Sequence, residues 1–212
     1  MHIKVTQLAL ALFVLVALMP AAAVAGRSPE PRPIETSEQA RRLFDAPGYV
    51  RLLRQRQVTV EEVAAVAAET EGLTPPEALA RVSGSSQANG ERIDLAAAES
   101  EASVRCSSVE WENGRGTFPY RRWIVGHTYW CYQYGGDITY RTSNTSARVD
   151  GVCSGSNERD WRISGGAGYS WVVVHHEADF SCVTPWWYHL NDSIWMQPAF
   201  NSYGSTSMTD SN

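Results

Sequence analysis

The chain has 212 residues, 18 basic against 23 acidic, with a formal net charge of −5 and 43% hydrophobic residues. A mildly acidic chain without a basic run is a poor ligand for nucleic acid or for an anionic membrane surface, so no nucleic acid is expected as a partner. After the first 25 residues no apolar stretch approaches the roughly 20 residues a transmembrane helix needs, so no membrane span is expected.

Residues 1–25 read as a secretory signal peptide. Lys4 gives the positive start, 8–19 the apolar run, and Ala23-Val24-Ala25 an A-x-A cleavage site before Gly26. The expected location is secreted, extracellular. Residues 26–35 follow as a Pro-rich tether with Pro29, Pro31 and Pro33, whose composition predicts extended chain.

Residues 36–83 predict three short helices. The first starts at Thr36 or Ser37 and runs to Ala46, before Pro47-Gly48. The second is capped by Thr59 with Glu62 in the capping-box position and stops at Gly72. The third takes Thr74 as cap, Pro75 as first helical residue and Glu77 as box partner. Their apolar stripe is thin, so this segment is expected to be a propeptide, a segment packed on the rest of its own chain, or an arm that docks on another protein. Residues 84–103, rich in Gly, Ser and Ala, read as a linker.

Composition changes near residue 101: beyond it lie all eight Trp and all four Cys. Residues 104–212 predict an all-β domain, a disulfide-bonded antiparallel β-sandwich or barrel, with strands near 104–111, 122–134, 137–143, 147–153, 160–163, 169–182 and 194–203. Asn113-Gly114 fits a type I′ turn, Gly135-Gly136 a tight hairpin, and Ser143-Asn144-Thr145-Ser146 a polar connection. Four cysteines allow three pairings; the expectation taken is Cys106 with Cys131 and Cys153 with Cys182. No C-x₂-C pair suggests zinc.

The stretch YSWVVVHHEADFSC, 169–182, is the clearest strand. Alternation puts Val172, Val174, His176, Ala178, Phe180 and Cys182 on a core face and Trp171, Val173, His175, Glu177, Asp179 and Ser181 on the other. His176 is expected to be hydrogen-bonded and partly buried. His175, Glu177 and Asp179 form a polar row that could bind a divalent metal or move protons, although such a row is also the ordinary solvated face of a two-faced strand. His176-Glu177-Ala178-Asp179-Phe180 lacks the second histidine of a zincin motif. His127 is a further histidine that could join the row across strands.

The aromatic surplus peaks at Trp186-Trp187-Tyr188-His189, after Pro185 in an expected loop. Rings held on a loop can stack on a sugar or fill a pocket on a protein partner. No nucleophile elbow, Walker loop or dinucleotide fingerprint is present, and no cofactor is implied. The leading expectation is therefore a secreted, non-enzymatic module that binds carbohydrate or a protein through Trp186, Trp187, Tyr188 and His189. The rivals are a small secreted hydrolase or metalloprotein using His175, Glu177 and Asp179, and a secreted toxin or subunit of an extracellular assembly. Asn144-Thr145-Ser146 and Asn191-Asp192-Ser193 match glycosylation acceptors.

Overall fold

A computed structural model describes residues 34, 36–84 and 104–212. The expected signal peptide, all of the expected Pro-rich tether except Ile34 and nearly all of the expected linker lie outside the described residues.

The helices begin where the sequence places their caps. Helix α1 (Ser37–Phe44) has Thr36 as N-cap, its side chain accepting from the Gln39 amide at 3.1 Å. It ends two residues before the expected Ala46. Helix α2 (Val60–Glu71) carries the full Thr59/Glu62 capping box and stops at Gly72, whose φ of 68° is left-handed. Helix α3 (Pro75–Val82) starts at Pro75, with the Glu77 carboxylate accepting from the Thr74 amide at 2.9 Å.

Between α1 and α2 the chain forms a strand that composition does not announce, β1 (Tyr49–Val58). Its Arg and Gln residues are weak strand formers, and a register shift at Leu53 breaks the alternation, so Leu52 and Leu53 are both about 40% exposed. Segment 36–83 is thus not purely helical: β1 pairs antiparallel with β2 along nearly its whole length.

The remaining strands are β2 (Val104–Arg115), β3 (Arg122–Gln133), β4 (Ile138–Val149), β5 (Cys153–Gly165), β6 (Trp171–Val183), β7 (His189–Asn201) and β8 (Thr206–Ser211). They form two antiparallel sheets, β1-β2-β3-β4 and β5-β6-β7-β8. The fold is mainly β, a disulfide-bonded antiparallel sandwich with three short helices toward its N-terminal side, as the composition predicts, with β1 set between the first two. The strand β8, short and polar, carries no strand signal in its own residues.

Two expected turns are strand interior. Asn113-Gly114 lies inside β2, where Asn113 is buried and an added Cβ on Gly114 would meet Tyr49 and Trp123 at 2.8 Å. Here glycine serves close packing rather than a turn. Ser143-Asn144-Thr145-Ser146 runs within β4, paired along β3, because this edge strand uses its hydroxyls: Ser143 binds Asp160 and Thr145 binds His176. Gly135-Gly136 does join β3 to β4, closed by the Gly136 amide on the Gln133 carbonyl at 2.8 Å.

The sheets face each other with β2 over β7 and β4 over β5. Val109, Trp130, Tyr132 and Ile138 pack against Val172, Val174 and Phe200, and Ile124 packs against Ala178, Phe180, Ile194 and Met196. On the outer face of the first sheet, α2 and α3 bury Val63, Ala64, Ala67, Ala78 and Val82 against Cys106, Cys131 and Tyr140. Helix α1 closes one end, with Ala40 and Phe44 against Tyr120, Cys182 and Leu190.

Both disulfides join direct cross-strand partners. Cys106–Cys131 ties β2 to β3 with a Cα separation of 4.0 Å, and Cys153–Cys182 ties β5 to β6 at 3.9 Å. Closing loops of 25 and 29 residues stabilises by about 3 kcal/mol each in the chain-entropy account.

Candidate binding site

Strand β6 divides its side chains as alternation requires. Val172, Val174, His176, Ala178, Phe180 and Cys182 are buried between the sheets. His176 goes further than the expected partial burial: it has no exposed surface, with Nε2 3.2 Å from the Thr128 hydroxyl and Nδ1 2.9 Å from the Thr145 hydroxyl. Burial drives its pKa down to about 3, so the ring is neutral.

The opposite face carries His175, Glu177 and Asp179 in a row. His175 is only 7% exposed because the rings of Trp161 and Trp195 stack on either side, at 4.0 and 5.5 Å between centroids. Its Nδ1 meets the Gln197 amide nitrogen at 3.1 Å and its Nε2 meets Glu177 at 3.2 Å. With the amide donating to Nδ1, the proton of the neutral ring sits on Nε2 and is donated to Glu177. Burial lowers the His175 pKa against the pull of that carboxylate. Arg159 then takes both acids, Glu177 at 2.8 Å and Asp179 at 3.3 Å, while Ser193 and Asn157 donate to Asp179. Every member of the row is thus engaged with a neighbour in the sheet. Among the described residues no group of three His, Cys, Asp or Glu side chains is placed to hold a metal ion.

The aromatic run occupies the β6–β7 turn. The Trp187 amide donates to the Thr184 carbonyl at 2.9 Å, and the Thr184 amide to the Tyr188 carbonyl at 3.0 Å, closing a three-residue loop of Pro185, Trp186 and Trp187. Pro185 suits the first turn position. Trp187, with φ of 62°, holds the left-handed position that such loops usually give to glycine. A side chain there is strained by about 1–2 kcal/mol. The ring is nevertheless 85% exposed, so little packing among the described residues offsets that strain. Trp186 and Tyr188 are 46% and 44% exposed, and His189 turns back to the Ser181 hydroxyl at 3.0 Å.

Beside Trp187 lies a cavity of about 250 Å³ walled by Ile34, Pro119, Val152, Val183 and Pro185. Three loops at one end of the sandwich build it, tied by the Val152 amide on the Pro119 carbonyl (3.1 Å) and the Val183 amide on the Val152 carbonyl (3.0 Å). Tyr120 also lines it, fully buried, and its hydroxyl has no hydrogen-bond partner among the described residues. Burial raises the Tyr120 pKa, keeping the phenol protonated. Sequence reasoning found the Trp187 loop but not Pro119, Tyr120 or Val152. The one signal that could have found them is antiparallel succession, which brings the β2–β3, β4–β5 and β6–β7 loops to a common end.

No protein-family model matches the chain, and no curated protein and no solved structure matches it either.

Proposed function

We propose that the protein is an exported, non-enzymatic binding module that seats an apolar side chain of a protein partner beside the Trp187 turn. The observation that carries this reading is Trp187 itself, a large ring at 85% exposure on a backbone position with φ of 62° that favours glycine. Strain retained at an exposed site is characteristic of a residue kept for what it touches outside its own chain. The adjoining cavity favours a protein over a carbohydrate. Its walls are mostly apolar, with Tyr120 and Thr184 as the polar side chains, whereas a sugar ring brings a hydroxyl on most carbons and would leave several unpaired. An aromatic anchor beside an apolar pocket is the composition of protein-interface hot spots.

Export is supported by the leader-like residues 1–25 and by the two disulfides, which persist in oxidising compartments. Segment 36–83 supplies an edge strand and the helices over one face, which supports a retained part of the module rather than a discarded propeptide. Mass analysis of the exported form checks this, since cleavage near residue 84 would contradict it.

The functional test compares wild type with Trp187→Gly in retention of partners from native culture medium. Glycine relieves the turn while deleting the ring, so the variant should be at least as stable and should lose the partner. Equal retention by both forms would overturn the reading, and retention of a polysaccharide instead would transfer the site to carbohydrate.

A further inference from the structure

The helices α2 and α3 cover only part of the first sheet's outer face. Beneath them lies the cross-strand row Val58, Cys106, Cys131 and Tyr140. Register then fixes two further rows, Arg56, Ser108, Tyr129 and Thr142, followed by Arg54, Glu110, His127 and Asn144. Helix α2 runs along the first of these. Glu62 near its start binds Arg56 at 3.0 Å, and Thr70 near its end lies 3.4 Å from the Thr142 hydroxyl. On this face a cavity of about 200 Å³ is lined by Arg54, Arg56, Ser108, Glu110, His127 and Tyr129.

The polar groups of this cavity are incompletely used. Arg56 is committed to Glu62, whereas Arg54 makes no ion pair among the described residues. Ser108 is 3% exposed, and its hydroxyl has no partner among the described residues. His127 stacks on Tyr129 at 4.3 Å and stands 3.9 Å from the Glu110 carboxylate. With Arg56 paired to Glu62, the guanidinium of Arg54 is the cation of this lining without an ion pair among the described residues, beside the carboxylate of Glu110.

We propose that this cavity binds the oxyanion group of a small ligand, a sulfate, phosphate or carboxylate, gripped by Arg54 with Ser108, Tyr129 and His127 around it. The guanidinium fork of Arg54 matches such a group with two parallel donors. The hydroxyls of Ser108 and Tyr129 add neutral donors. His127 faces Glu110 from β2, Arg54 and Arg56 from β1, and Tyr129 on its own strand, with uncharged Asn144 opposite on β4. Burial holds its pKa below the usual histidine value. An anion beside the ring favours the imidazolium, so binding takes up a proton and tightens as pH falls.

The test follows the His127 ring signals by NMR while the full chain is titrated separately with sulfate, phosphate and acetate, with sodium chloride as the ionic-strength control. The expected result is saturable movement of His127 with at least one of the three, which identifies the oxyanion, tighter at pH 5.5 than at pH 7.5. Arg54→Gln, at an exposed and unpaired position, should keep the fold and weaken binding by about tenfold or more. Trp187→Gly should leave it unchanged, which separates this site from the β6–β7 turn. Movement that merely tracks ionic strength, or an affinity unaltered by Arg54→Gln, would overturn the proposal.

Discussion

His176 of β6 and Thr145 of β4 meet across the sandwich, imidazole Nδ1 to hydroxyl oxygen, at 2.9 Å. Thr128 of β3 takes the other ring nitrogen at 3.2 Å, so one neutral imidazole is shared by both sheets. Its folded pKa of about 3 lies far below the unfolded value near 6.5. The unfolded chain therefore binds the proton first. Stability is fully present above pH 6.5 and is lost as pH falls, by up to about 1.4 kcal/mol per pH unit for this one proton. His127 and His175 are shifted the same way and add to the slope. Denaturant midpoints at pH 7.5, 6.5, 5.5 and 5.0 check this. A flat profile from 6.5 to 5.0 would contradict the buried neutral ring.

The space for that ring is made by Gly126. A Cβ there would come within 2.6 Å of both His176 Cγ and Met196 Cε. Gly126→Ala is expected to lower stability by about 1–3 kcal/mol through overpacking between the sheets. Thermal unfolding of the variant measures it, and an unchanged Tm would show that the sheets separate easily at this point.

Cys153–Cys182 packs with Phe44, Tyr120 and Leu190, the cluster that anchors α1. Replacing both cysteines by alanine should cost about 3 kcal/mol from the 29-residue loop it closes. Hydrogen exchange should then rise first in α1 and around Tyr120, because the cluster loses its crosslink at the centre. Uniform acceleration over the whole chain would argue that α1 does not depend on this bridge.

The legible parts of the fold were those whose local chemistry agrees with their tertiary setting. Thr59 with Glu62, and Pro75 with Glu77, are helix starts in any context, and β6 has one face buried and the other on the sheet's outer side, so its alternation reads directly. β1 was hidden because an edge strand rich in Arg and Gln gains its place from pairing with β2 rather than from its own pattern. Asn113-Gly114 misled because close packing and turning both select glycine. Trp187 was legible as a surplus ring. The left-handed backbone under it, the unpartnered Tyr120 hydroxyl and the meeting of Arg54 with His127 depend on register and loop convergence, which one sequence does not carry.

That hydroxyl gives a check on the end of the sandwich proposed to bind a partner. A buried hydroxyl without a partner carries an uncompensated desolvation penalty of about 1–3 kcal/mol. Tyr120 is fully buried, its hydroxyl included, and its ring packs with Ala40, Phe44 and Leu190 behind the wall of the cavity beside Trp187. Tyr120→Phe keeps the ring and deletes the oxygen, so the free protein should be as stable as wild type or more so. If the cavity receives an apolar partner side chain, the same substitution should leave that complex intact, because the hydroxyl is buried behind the wall and meets nothing the partner brings. A Tm that holds or rises while affinity is unchanged is what ordinary loss of packing cannot produce: a core defect lowers Tm and affinity together. A Tm that falls on Tyr120→Phe would mean that the hydroxyl is already satisfied in the free protein, by bound water.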